Sequence, residues 1–121
     1  MAFDRELICL STAVKEGGAG ARFKLSIGCT PRPAFLVRFE DKPHAFLNSC
    51  PHMGVELDWQ QGEFFDQSGL YLICSTHGAV FMPDNGYCTG GPCKGRRLTR
   101  LPVVEHDGSI FLAEGFHLYV K

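Results

Sequence analysis

The chain of 121 residues carries a formal charge of −1 and is 45% hydrophobic, a composition that fits one soluble globular domain with one core. So balanced a charge gives no electrostatic reason to bind nucleic acid or an anionic membrane. The opening MAFDRELICLSTAVKEGG lacks the basic start and apolar run of an export signal, and no segment approaches the ~20 apolar residues of a membrane span, so the expected compartment is the cytoplasm.

Strand signals dominate the chain in order. RELICL (5–10), FKLSI (23–27), AFLVRFE (34–40), HAFLNS (44–49), LYLI (70–73), AVFM (79–82), RLTRLPVVE (97–105), SIFLAE (109–114) and FHLYV (116–120) are short and rich in aromatic or aliphatic residues. GGAG (17–20), EDKP (40–43), PDNG (83–86), GGP (90–92) and HDG (106–108) supply turn chemistry between them. Only STAVKE (11–16) reads as a helical turn. The expected fold is an all-β domain over 1–121, built of small antiparallel sheets.

Six cysteines in a chain without an export signal do not read as a disulfide framework, because cytosolic thiols are kept reduced. Metal binding is the stronger reading for some of them. HAFLNS runs into Cys50-Pro51-His52, and LYLI runs into Cys74-Ser75-Thr76-His77-Gly78 before AVFM leaves. Each Cys-His pair therefore falls on a loop at a strand tip, and two such tips side by side enclose a cofactor from opposite sides. Thiolates are soft ligands and imidazole is borderline, so the set suits zinc or an iron–sulfur cluster. A C-x-H turn is tight for placing both ligands on one tetrahedral zinc. It suits a two-iron cluster better, where adjacent ligands point at different irons.

C50-P-H52, C74-S-T-H77-G and G90-G-P-C93 resemble the two ligand boxes and the proline loop of Rieske [2Fe–2S] proteins, and the resemblance spans about residues 34 to 113. It implies one [2Fe–2S] cluster per chain and a cluster-binding part over about 46–94. Carried over by position, Cys50 and Cys74 hold the inner iron, and His52 and His77 hold the outer, solvent-facing iron. Gly91 and Pro92 cover the third side, and Pro51, Met53 and Pro92 form an apolar rim for a docking partner. The 53–73 segment is longer than this family commonly shows. Its extra length is expected at GEFFDQSG (62–69), as a turn or small hairpin away from the ligands.

The second box reads THGAVF. High-potential members of the family carry a cysteine before the histidine for a disulfide between the loops, and Ser and Tyr at the positions of Ala79 and Phe81. With Thr76 there, and Val55 where the first loop supplies its half, the resemblance implies the low end of the Rieske range, about −150 mV. His44, His106 and His117 read as surface or strand residues, and no second domain is expected to hold an oxygenase iron. The implied function is one-electron transfer rather than catalysis by the chain itself, as in ferredoxins that pass electrons from a flavin reductase to an oxygenase. The small Rieske-like subunit of NAD(P)H-dependent nitrite reductases and a zinc-stabilised interaction module are the alternatives. In the first two readings the partners are redox proteins.

The remaining cysteines read mainly as packing. Cys88 and Cys93 flank the proline loop as small residues filling it, with a disulfide-forming pair as the alternative. Cys9 reads as a small buried hydrophobe and Cys29 as incidental to the GCTP turn. Lys94, Arg96, Arg97 and Arg100 read as a solvated strand face with Leu98 and Leu101 turned inward, or as a docking patch for an acidic partner. Trp59 and most of the ten phenylalanines are expected in the core.

Overall fold

The computed structural model describes residues 5–51, 55–58, 60–76, 78–93, 95–113 and 115–119. Over these the chain forms strands β1 (Leu7–Leu10), β2 (Ala21–Ile27), β3 (Thr30–Phe39), β4 (Lys42–Leu47), β5 (Leu72–Ile73), β6 (Val80–Phe81), β7 (Cys88–Gly90), β8 (Arg100–Leu101), β9 (Val103–His106), β10 (Ser109–Leu112) and β11 (His117–Leu118). The helical turn expected at 11–16 is a single 3-10 turn, Ser11–Ala13. No helix among the described residues is long and apolar enough to cross a membrane.

The strands make three antiparallel sheets, ordered β11-β2-β3-β4-β8, β1-β10-β9 and β5-β6-β7. Three two-residue hairpins set register within the first two of these sheets. Gly28 and Cys29 link β2 to β3, Glu40 and Asp41 link β3 to β4, and Asp107 and Gly108 link β9 to β10, all with φ between 52° and 76°. Positive φ at both central residues is the type I′ turn, whose twist matches that of paired strands. Glu40 and Asp41 tolerate it because the Glu16 carboxylate accepts both of their N–H groups, at 2.8 and 2.7 Å. Cys29 thus belongs to a turn and is exposed.

The five-stranded sheet is a middle layer with a core on each face. Alternation along β3 and β4 sends Phe35, Val37 and Phe46 to one side and Ala34, Leu36, Ala45 and Leu47 to the other. The first side is the aromatic one. Phe35, Phe46, Phe64 and Phe81 are fully buried there, each contributing about 1.5–3 kcal/mol of hydrophobic stabilisation, and Phe35 stacks on Phe64 with centroids 4.0 Å apart. The second side packs under β1, β9 and β10, with Val14, Leu25, Ile110 and Leu112 buried and the half-buried Cys9 at its edge. The small sheet β5-β6-β7 closes on the aromatic core, and the candidate site lies on that side.

Two strand expectations change. RLTRLPVVE is not one strand: Pro102 has no N–H for a ladder, and the run divides there into β8 in the middle sheet and β9 in the outer one. β7, which pairs with β6 through a register shift, arises from YCTGG, where the glycines and the following proline signalled only loop. Trp59 lies outside the described residues.

Candidate metal centre

The two boxes close in the same way. Cys50 N–H donates to Val55 O at 2.7 Å, and Cys74 N–H donates to Ala79 O at 2.8 Å, so each loop is cinched by a bond from its cysteine to the residue five positions on. A further bond from Ser75 N–H to Leu57 O, at 3.1 Å, ties the second loop to the first. Both cysteines are turned inward, 2% and 1% exposed, and belong to the same contiguous buried cluster as Ala79, Phe81, Cys88 and Cys93. His52 and His77, the other two expected ligands, and Met53 of the expected rim lie outside the described residues.

The third segment is the proline loop. Gly91, at φ +89°, approaches the second box so closely that a Cβ on it would stand 2.8 Å from Ala79 Cα and 3.2 Å from Gly78 O. Only glycine accommodates both that dihedral and that approach. Arg96 reaches from the far end of the loop to donate to Pro51 O in the first box at 3.1 Å. Pro92 is exposed and Pro51 half-buried. The basic run is therefore partly structural: Arg96 bridges to Pro51, Arg97 lies over the Tyr87 ring at 5.8 Å, and Leu98 and Leu101 point into the core at 2% and 3% exposure. Lys94 lies outside the described residues.

A polar clamp that the sequence did not reveal supports the first box. Asn48, 1% exposed, accepts the Leu57 N–H at 2.8 Å and donates to Asp58 at 2.9 Å. Asp58 accepts the Gly62 N–H at 3.0 Å and pairs with Arg22 Nε at 3.1 Å, and Arg22 also pairs with Glu56. The box loop is thus fastened at its outgoing end to the strand that enters it. Beyond it, GEFFDQSG does form a small hairpin, with Asp66 N–H donating to Tyr71 O at 2.9 Å and a bridge between Phe65 and Leu72.

Cys88 and Cys93, expected as small residues packing the loop, are buried and in contact, Sγ to Sγ at 2.9 Å. Burial, followed by the neighbouring Cys88 thiol, pushes the Cys93 thiol up to about 12. Of the spare histidines, His106 and His117 are exposed, whereas His44 is buried in β4 with Nδ1 unpartnered, and burial holds its pKa down.

The donor chemistry fits a soft metal group on the interior side. Two inward thiols stand on loops cross-braced by backbone bonds, with a third loop packed over one of them.

Comparison with known proteins gives the family context. Residues 5–107 match the family described as the Rieske [2Fe–2S] domain. No curated protein sequence matches the chain. Among solved structures, a ferredoxin of Sphingomonas yanoikuyae B1 superposes with a TM-score of 0.69 at 17% identity, over 92% of this chain and 99% of that one. A chain from the complex of reduced oxygenase and oxidised ferredoxin in carbazole 1,9a-dioxygenase gives 0.70 at 22% identity, over 88% and 99%. The terminal oxygenase of carbazole 1,9a-dioxygenase from Novosphingobium sp. KA1 gives 0.71 at 26% identity, over 91% of this chain but 30% of that one.

Proposed function

The chain belongs to the Rieske [2Fe–2S] domain family, and from that premise we propose that it is a one-electron carrier of low potential, serving an oxygenase as acceptor and a flavin reductase as donor. The family's [2Fe–2S] cluster supplies a site that takes up and gives back a single electron. The observation that carries the reading is the convergence of three segments: two box loops with matching closures at Cys50 and Cys74, and the Gly91 turn packed on Ala79.

In this reading Cys50 and Cys74 bind on the buried side, and His52 and His77 bind on the side facing solvent. Gly91 and Pro92 shield the third side, within a cluster-binding part of about residues 46–94. Two neutral imidazoles in place of two thiolates make an added electron less costly than in an all-cysteine site. The buried side excludes water, and Pro51, Met53 and Pro92 present an apolar rim to the partner. Ala79 and Phe81 carry no hydroxyl, which supports a potential near the low end of the family's range. Superposition over nearly the whole length of a ferredoxin supports a carrier rather than a catalyst.

The test is metal and acid-labile sulfide analysis of the purified chain, with EPR of the reduced form. A red-brown protein with equal iron and sulfide and a reduced-state signal is expected, and a colourless zinc protein would overturn the reading. Reduction by a flavin-dependent ferredoxin reductase and rapid reoxidation by a Rieske-type oxygenase then test the partners. Copurification with a large catalytic subunit would instead make the chain a component of that enzyme.

A further inference from the structure

Cys88 and Cys93 bracket the segment Thr89-Gly90-Gly91-Pro92, and the carrier function uses neither of them. Their sulfurs stand 2.9 Å apart, with the Cys93 thiol donating to the Cys88 sulfur. The backbone holds the two ends of the loop in place. Cys88 N–H donates to Arg96 O at 2.7 Å, Gly95 N–H to Cys88 O at 3.2 Å, and Arg96 N–H to Cys93 O at 2.9 Å. A disulfide needs sulfurs about 2.05 Å apart, so less than an ångström of closure remains, shared between two side chains.

We propose that Cys88 and Cys93 form a disulfide that clasps the proline loop shut. A low-molecular-weight disulfide such as glutathione disulfide is the oxidant. One cysteine, as the thiolate, attacks it and releases one small thiol, leaving a mixed disulfide. The second cysteine, as the thiolate, attacks that mixed disulfide and releases the other small thiol. The pair loses two electrons, and its two protons end on the two released thiols. Gly91 and Pro92 are exposed above the buried pair, so the oxidant gains entry when this loop lifts, and exchange through the closed loop is slow.

The clasp bears on the metal centre through Cys93, which lies in the same buried cluster as Cys50. The dithiol form carries S–H donors in that shared cluster and the disulfide form carries none. Hydrogen bonds to ligand sulfurs favour the reduced cluster, so closing the clasp lowers the midpoint potential; this consequence, unlike the bond itself, rests on the carrier reading.

The experiment equilibrates the full-length, cluster-loaded protein in glutathione buffers of graded oxidation, quenches it in acid, and alkylates it unfolded with N-ethylmaleimide. With six cysteines in the chain, mass spectrometry should count about six adducts in the reducing limit and about four in the oxidising limit, with a proteolytic peptide linking Cys88 to Cys93. Cys88→Ser and Cys93→Ser should each abolish that peptide. Six adducts at every ratio, or linkage to another cysteine, would overturn the proposal, and the wild-type count stands even if the variants misfold. Iron content of the same samples reports on the carrier reading separately. Equal midpoint potentials for the two forms would overturn the coupling.

Discussion

Gly91 stands so close over Ala79 that a single added carbon would come within 2.8 Å of the Ala79 Cα. The loop carrying it and the second box are therefore packed backbone to backbone. Gly91→Ala should both strain the loop and push it off the box. Gly95 provides the control: its φ of +92° is nearly the same as the +89° of Gly91, but a Cβ there meets nothing within 4 Å among the described residues. Gly95→Ala should lose about 1–3 kcal/mol from backbone strain alone and retain iron. Gly91→Ala should lose more stability in urea and retain less iron. Equal losses for the two variants would show that the close approach is unimportant.

The buried thiols lead to a second expectation. Cys50→Ser or Cys74→Ser replaces an inward thiol that the carrier reading assigns to the cluster with a hydroxyl, and either change should abolish visible absorbance and lower the melting temperature. A variant with its full absorbance would remove that residue from the ligand set.

The Asn48 clamp leads to a third. Asn48→Ala leaves the Leu57 N–H and the Asp58 carboxylate without their partner in a buried setting, a loss of about 1–3 kcal/mol. Because the clamp fastens the first box and not the second, iron release into a chelator should also quicken. Unchanged release with reduced stability would confine Asn48 to a purely structural part.

These expectations divide between what local sequence carries and what it does not. The two Cys-His boxes stood out because their spacing is a property of a few adjacent residues, and β3 and β4 because short aromatic and aliphatic runs mark strands. β3 is apolar and buried on both faces over Ala34–Val37, which is the trace of a middle layer with two cores. The clamp was not legible: Asn48 and Asp58 are separated by a loop, and nothing local says that two polar residues at its ends meet in the interior. β7 was hidden by glycines that also serve the turn at Gly91. The split at Pro102 was visible in principle, since a proline inside a run of strand formers demotes that run.

Arg38 and Glu105 give a pH expectation. The guanidinium forks onto the carboxylate, Nη2 to Oε2 at 2.7 Å and Nη1 to Oε1 at 3.3 Å, while Nε and Nη2 also hold Val14 O and Ser11 O. The bond to Arg38 holds the Glu105 carboxyl below the ordinary carboxylate range. A depressed acid contributes stability that is fully present above its unfolded-state pKa and is lost as pH falls through its folded-state pKa. Glu105→Gln should therefore cost about 1 kcal/mol at neutral pH, and the two proteins should converge as pH falls through that depressed folded-state value. A constant gap across that window would mean that packing, not charge, carries the effect.

The last expectation concerns the second box itself. Ala79 and Phe81 are both fully buried, Ala79 under Gly91 and Phe81 among the aromatic residues of the core. Ala79→Ser with Phe81→Tyr adds two hydroxyls where the carrier reading expects the cluster's electron to settle. A hydroxyl donating to a site that gains negative charge is worth about 1.5–3 kcal/mol, or on the order of 100 mV for one electron. The double variant should thus have a higher midpoint potential, read by visible titration. The introduced phenol has a separate consequence, because a buried donor without a partner is destabilising. If its hydroxyl reaches the cluster, apoprotein should lose stability to urea while loaded protein does not. If both forms lose stability equally and the potential stays put, the hydroxyls point elsewhere and Ala79 and Phe81 do not set the potential.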